Sequence, residues 1–193
     1  MAKVADSKGK TGAKEKTLAA AAKLFSQRGY HGTALHDILA AGGAPRGSLY
    51  FHFPDGKEEI ALATVALGAE AVRAFIAQAA EAETMDGFLI TLARGMGANL
   101  EASGFNEGCP IATTALETAA QSQALGAATR AAFQSWEAEI ARGLQRFGMK
   151  DAGPAATAIL AQLEGALLLA RTYRSLEPMR RAEEAVVRLA GKS

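Results

Sequence analysis

Thr33 to Lys57, TALHDILAAGGAPRGSLYFHFPDGK, gathers the side chains of this chain best suited to bonding phosphate and base edges. Pro45, Arg46, Gly47, Ser48 and Tyr50, with His52 just beyond, follow a break at Gly42–Gly43. Arginine can bond guanine bidentately or pair with phosphate, and a small glycine lets backbone approach a groove. Ser48, Tyr50 and His52 can donate to phosphate oxygens, contacts that set register rather than sequence. Thr33 and Lys57 bracket the segment at predicted helix starts, where free N–H groups suit an anion. At about 100° per residue, Leu49 turns inward while Arg46, Ser48 and Tyr50 turn largely outward. A core-forming helix would carry apolar residues there. The chemistry expected is DNA recognition by a helix-turn-helix whose second helix enters a major groove. Tyr50 and Phe51 also suit a core, and His52 a packing role, so each residue has a structural alternative.

Charge supports the same segment. Up to Phe53 there are eight Lys/Arg against three Asp/Glu, and thirteen against seventeen beyond it. The basic third is an electrostatic footprint for phosphate, set on a near-neutral to acidic body.

The elements that must hold this segment read almost entirely as helix. A polar, lysine-rich stretch, residues 1–13, is expected to be a disordered basic arm. A helix from about Lys14 to Arg28 places Leu18, Ala21, Ala22 and Phe25 on one face and stops at Gly29. The next helix begins after Thr33, read as its N-cap, with Leu35, Ile38 and Leu39 facing the first. Pro45 suits the first turn of the third. Asp55, three residues before Glu58, resembles a capping box opening a long helix from Lys57 to about Ala80. Residues 14–56 are thus expected to form a DNA-binding unit and 57–193 a helical body.

In the body, Phe88, Leu92, Met96 and Leu100 form a stripe, and residues 103–110 form a loop ending at Pro110, which starts another helix. Leu125, Thr129, Phe133, Trp136, Ile140, Leu144 and Phe147 show the cleanest helical period. Ala155 to Ala170 interrupts its apolar surface only at Thr157, Gln162 and Glu164, and a helix apolar nearly all round needs cover on more than one side. Ala158, Ala161, Gln162, Gly165 and Leu169, joined by Met179 and Val186 of the last helix, are therefore expected at a four-helix homodimer interface. A fully buried central helix in a monomer is the alternative.

Residues 14–60, through LFSQRGYHGTALHDI, GGAPRGSLYFHF and PDGKEEI, resemble the N-terminal domain of TetR-family transcriptional regulators. GCPIATTALE (Gly108 to Glu117) is similar to the LmrA/YxaF-like subgroup. The resemblance implies an all-α protein, with a three-helix DNA-binding domain followed by a ligand-binding and dimerisation domain. It implies DNA-contacting positions at Thr33, Arg46, Gly47, Ser48, Tyr50, His52 and Lys57, with Pro45 where serine is frequent. Gly42 stands where the family usually has alanine, and Ala44 replaces the usual valine; a glycine there costs up to about 1 kcal/mol of helix propensity. A small molecule in the body is implied to shift the two reading heads, so that the protein leaves a palindromic operator. Phe88, Leu92, Met96, Cys109, Phe133, Trp136 and Leu167 are the candidate lining for an apolar or aromatic effector. The same stripes also suit plain core, and Glu117 and Glu164 are acids that suit either a cation or solvent.

Other functions fit poorly. The three histidines all lie within the first 52 residues, away from Cys109, and no phosphate cradle or paired-carboxylate motif stands out, so catalysis is not expected. The scattered His and Cys make a poor metal set, and no cofactor is expected. Cys109, as the single cysteine, excludes an intramolecular disulfide, but leaves open a redox-responsive regulator. No run of about 18 uninterrupted apolar residues appears, so no membrane contact and a cytoplasmic location are expected.

Overall fold

The computed structural model describes residues 5–43 and 51–191, with side chains from Gly12 onward within those spans. Among them, eight helices occur and no strand. They are α1 (Ala5–Arg28), α2 (Leu35–Gly42), α3 (Lys57–Ala79), α4 (Met85–Ala102), α5 (Pro110–Thr118), α6 (Gln123–Arg146), α7 (Ala152–Tyr173) and α8 (Glu177–Ala190). The protein is all-α.

Local chemistry explains most boundaries, and corrects three expectations. First, α1 starts at Ala5, so most of the expected disordered arm is helical. Alanine and lysine favour helix, no proline interrupts, and extending a helix already anchored at Leu18 and Phe25 adds one bond per residue. Second, Ala34 is the N-cap of α2, its N–H donating to Asp37 at 3.3 Å. Thr33 is fully buried and its hydroxyl donates to the Gly29 carbonyl at 2.8 Å. Third, Gly56 (φ 68°) caps α3 without a side-chain bond. The expected capping box does not form, because the Asp55 N–H donates to Glu59 and Glu58 accepts the Ser122 hydroxyl.

Two apolar cores result. Leu18, Ala21, Phe25, Ile38, Phe53 and Ile60 pack α1, α2 and the start of α3, and Leu125 from α6 closes that core against the body. Phe88, Leu100, Ile111, Trp136, Ile140 and Ile159 belong to the second, built from α3 to α8. Helix α3 runs through both and packs along α6. Buried Glu139 of α6 lies 3.0 Å from Arg73 of α3 and also pairs with Arg142. A buried acid between two guanidiniums has its charge matched on the spot.

Helices α3 and α7 are long and apolar enough by length and composition to cross a membrane. Helices that pack in a bundle pass the same test, and here α7 packs between α6 and α8.

Candidate DNA-binding surface and effector cavity

Pro45, Arg46, Gly47, Ser48 and Tyr50 lie outside the described residues, as does Leu49. Their expected flanks are described, and they are not equivalent. The Thr33 side chain is inside the N-terminal core, which corrects its expected phosphate contact: its hydroxyl is spent on a carbonyl one helical turn back. His52 is half-buried and its Nε2 is buried without a hydrogen-bond partner among the described residues. Lys57 is half-buried at the first position of α3, its Nζ 4.2 Å above the Tyr30 ring. Burial lowers its pKa, and the Glu117 carboxylate acts in the opposite sense. Glu58 and Glu59 occupy the first turn of α3, and their charge opposes an anion at that terminus. Phe51 does not join the core: it is 71% exposed, while Phe53 is buried.

The turn between α1 and α2 is held by the body. The Glu117 carboxylate, near the C-terminal end of α5, accepts the His31 backbone N–H at 2.6 Å, and its carbonyl lies 3.3 Å from the His31 ring. Gly29 (φ 79°) makes room for it, since a Cβ there would sit 1.8 Å from Glu117 Oε1. The other end of α5 is Cys109, whose Sγ accepts the Ala112 N–H. One nine-residue helix therefore joins the wall of a cavity to the DNA-binding unit. Glu117→Ala frees the His31 N–H and loosens this turn. A bond to a charged acceptor is worth about 1.5–3 kcal/mol when shielded and less at an exposed site. A fall in melting midpoint of about 2–4 °C is expected, together with weaker operator binding. An unchanged midpoint and affinity would make the contact idle.

That cavity measures about 710 Å³. Leu92, Met96, Cys109, Trp136 and Leu167 are among the residues that line it. A second chamber of about 460 Å³ is lined by Phe133, Cys109 and Leu167 among others. Cys109, Glu164 and Leu167 border both chambers. Phe88 lines neither, and this corrects its expected role. Its ring is fully buried, 6.4 Å from Phe147 and against Gly143, in solid core.

The sequence reading missed that α1 also forms a cavity wall, through Ala19, Ala22, Lys23 and Ser26. The signal was present: α1 carries a second, small-residue face beside its buried Leu18, Ala21 and Phe25 stripe.

Glu164 was also left undecided by sequence. It is half-buried by surface area yet deeply set in the cavity wall, and burial raises its pKa, with the Cys109 thiol as its hydrogen-bonding neighbour opposing that rise. Burial and the Glu164 charge in turn push the thiol far up. A carboxyl whose pKa is raised on folding holds its proton longer in the native state than in the unfolded chain. Stability therefore falls as pH rises from the unfolded carboxylate range through the raised value, and the whole penalty is present above it. Glu164→Gln removes the penalty. Its melting midpoint should exceed that of the parent at alkaline pH, with the gap narrowing in mild acid; a gap independent of pH would overturn this.

The outer face of α7 exposes Ala158, Ala161, Gln162, Gly165 and Leu169, with Leu168 beside them at 62% exposure. Met179 and Val186 do not join that face. Both are buried within the same subunit's core, because α8 has one apolar stripe and spends it on α4 and α7.

Comparison with known proteins agrees with this architecture. Residues 88–185 match the LmrA/YxaF-like transcriptional regulator C-terminal domain, and residues 18–64 match the bacterial regulatory proteins of the tetR family. The chain is 35% identical over 173 residues to the HTH-type transcriptional regulator LmrA of Bacillus subtilis strain 168, covering 86% of this chain and 90% of that protein. It is 34% identical over 169 residues to the HTH-type transcriptional regulator YxaF of the same organism, covering 86% and 88%. Among solved structures, a TetR transcriptional regulator from Chloroflexus aurantiacus J-10-FL superposes with a TM-score of 0.80 at 31% identity, covering 93% of this chain and 94% of that one.

Proposed function

Since the chain belongs to the TetR family of transcriptional regulators, in its LmrA/YxaF-like subgroup, we propose that it is a ligand-released repressor. It binds a palindromic operator as a homodimer, and a small apolar or aromatic effector in the body ends that binding. TetR-family regulators bind DNA, act as dimers and are not enzymes. The observation that carries the ligand response is the 710 Å³ cavity walled jointly by α1 of the DNA-binding unit and by α3, α4, α6 and α7 of the body. A guest there bears on α1 directly, on α3, and on α5 through Cys109. Displacing α1 or the Glu117 contact moves the reading head without touching a base contact. Two such heads on a two-fold axis match half-sites spaced by whole DNA turns, so a small change of separation lowers affinity.

The unpartnered face of α7 supports the dimer, with Ala158, Ala161 and Gly165 small enough for close helix approach. Pro45, Arg46, Gly47, Ser48, Tyr50, His52 and Lys57 form the proposed DNA surface, joined by exposed Phe51, whose ring suits a thymine methyl or sugar. The working location is the cytoplasm, without a membrane partner. Cys109 is half-buried at the border of the two chambers, and the raised pKa of its thiol, from burial and the Glu164 charge, favours ligand control over redox control.

A gel shift on DNA immediately upstream of the coding region, repeated with aromatic compounds that raise the melting midpoint, tests the proposal. Retarded DNA released by a stabilising compound supports it. Retardation that no stabilising compound reverses would leave a DNA-binding protein without an effector. Arg46→Ala should cost about 1–3 kcal/mol of operator binding and relax preference at one position per half-site. Unchanged affinity and preference would remove Arg46 from the contact set.

A further inference from the structure

The geometry points to a cationic effector: an aromatic or apolar body carrying one positively charged nitrogen, which pairs with the Glu164 carboxylate at the border of the two chambers. This rests on the reading of the cavity as the effector site and names the chemistry that site selects.

The body of the protein holds two deeply set acids with opposite surroundings. Glu139 has Arg73 and Arg142 on it. Glu164 has no ion pair among the described residues, and its hydrogen-bonding neighbour is a thiol, a weak donor. Arg171, two turns further along the same face of α7 and also lining the smaller chamber, makes no ion pair with Glu164 and donates to the Gln27 carbonyl at 2.9 Å. Lys23, at the rim of the larger chamber, is exposed. The other acid of that chamber, Glu107, accepts the Gln27 amide at 3.0 Å. Neither acid of the larger chamber has an ion pair among the described residues, and of the two Glu164 is the deeply set one that borders both chambers.

A buried, unmatched carboxylate is costly, and a ligand cation that reaches it removes that cost while gaining a charge pair in a poorly screened site. The walls fit the rest of such a molecule. Trp136 lines the larger chamber and Phe133 the smaller, their rings in edge-to-face contact 5.4 Å apart, so each chamber that Glu164 borders has an aromatic ring in its wall. Aromatic faces attract cations and stack with planar ligands. A neutral phenol or alcohol bonding a protonated Glu164, or an anion drawn to Arg171, makes the opposite prediction about charge.

The test uses the full chain and three probes of matched shape: para-phenylbenzylamine, para-phenylbenzyl alcohol and para-phenylphenylacetate. Trp136 is the only tryptophan and lines the cavity, so its emission reports occupancy. The amine should bind at least about tenfold more tightly than the alcohol, with the acetate weakest. In Glu164→Gln the amine should fall to the affinity of the alcohol, and the alcohol should stay within about twofold of its parent value. Glu164→Met repeats the comparison if the glutamine variant melts poorly. An alcohol or acetate that binds as tightly as the amine, or an amine preference that survives both substitutions, overturns the inference. If the alcohol binds and releases the operator with no advantage for the amine, the effector cavity stands and the cation does not. If none of the probes alters Trp136 emission or melting, both readings fall.

Discussion

Gly165→Leu is expected to leave a folded subunit that no longer dimerises and loses operator affinity by about 100-fold or more. A Cβ built on Gly165 meets nothing within 4 Å, so the subunit itself has room for a side chain. Replacing a helix-interior glycine also improves helix propensity by up to about 1 kcal/mol. Any harm must then come from outside the subunit. The exposed neighbours on α7, Ala158, Ala161 and Leu169, are what a partner helix would pack against, and leucine at the closest approach forces the pair apart. A lone subunit keeps one reading head, and so loses the gain from engaging the second half-site as an intramolecular event. Light scattering gives the oligomeric state, and gel shift the affinity. Because Gly165 also borders the smaller chamber, Ala161→Leu one turn earlier serves as the companion. Dimers of normal stability in both variants would place the interface elsewhere.

The contrast between α7 and α8 indicates how much of the architecture was legible in sequence. Helix α7 is apolar nearly all round and therefore has a face left over once the subunit's own core is made; that excess is visible in its residues. Helix α8 also shows a periodic stripe, but a single stripe satisfies only one neighbour. Periodicity identifies the stripe and not the neighbour, so Met179 and Val186 are found in the subunit's own core rather than at a partner. Boundaries set by local chemistry were legible for the same reason: Gly29 stops α1, Gly43 takes the left-handed C-cap of α2 (φ 62°), and Pro110 opens α5. The fate of Thr33, and of Glu117 seated against the Gly29 turn, depends on what long-range packing brings alongside. Spacing does not encode that.

The cavity divides in the same way. Leu92, Met96, Trp136 and Leu167 line it, because large side chains on facing helices leave space where alanines and glycines alternate with them. The share contributed by α1 was hidden by treating the DNA-binding unit and body as separate. Of the α1 residues at the wall, Ala22 reads from sequence as part of the helix's apolar face, and Ala19 and Ser26 take no role from their spacing. That the sensor and reader share a wall gives the switch a short path, through a helix that belongs to both.

Phe88→Ala should then be the most damaging single truncation among the sequence-predicted cavity residues, and damaging for stability rather than for ligand binding. Phe88 is fully buried, and α6 approaches so closely that a Cβ on Gly143 would lie 2.7 Å from its ring. The Phe147 ring stacks on it at 29°. Helix backbone at Gly143 cannot easily collapse into the space left, so the truncation creates a void as well as losing apolar burial. Such changes cost about 3–5 kcal/mol, which for a chain of this size lowers the melting midpoint by about 10 °C or more. Met96→Ala is the matched control. Met96 is half-buried and already borders an open chamber, so it forfeits fewer contacts, and enlarging the chamber changes which guests fit. The expected pattern is a large loss of stability with unchanged relative affinities for different ligands in Phe88→Ala, and the reverse in Met96→Ala. A Phe88→Ala protein that melts like its parent and binds larger guests would return Phe88 to the cavity wall.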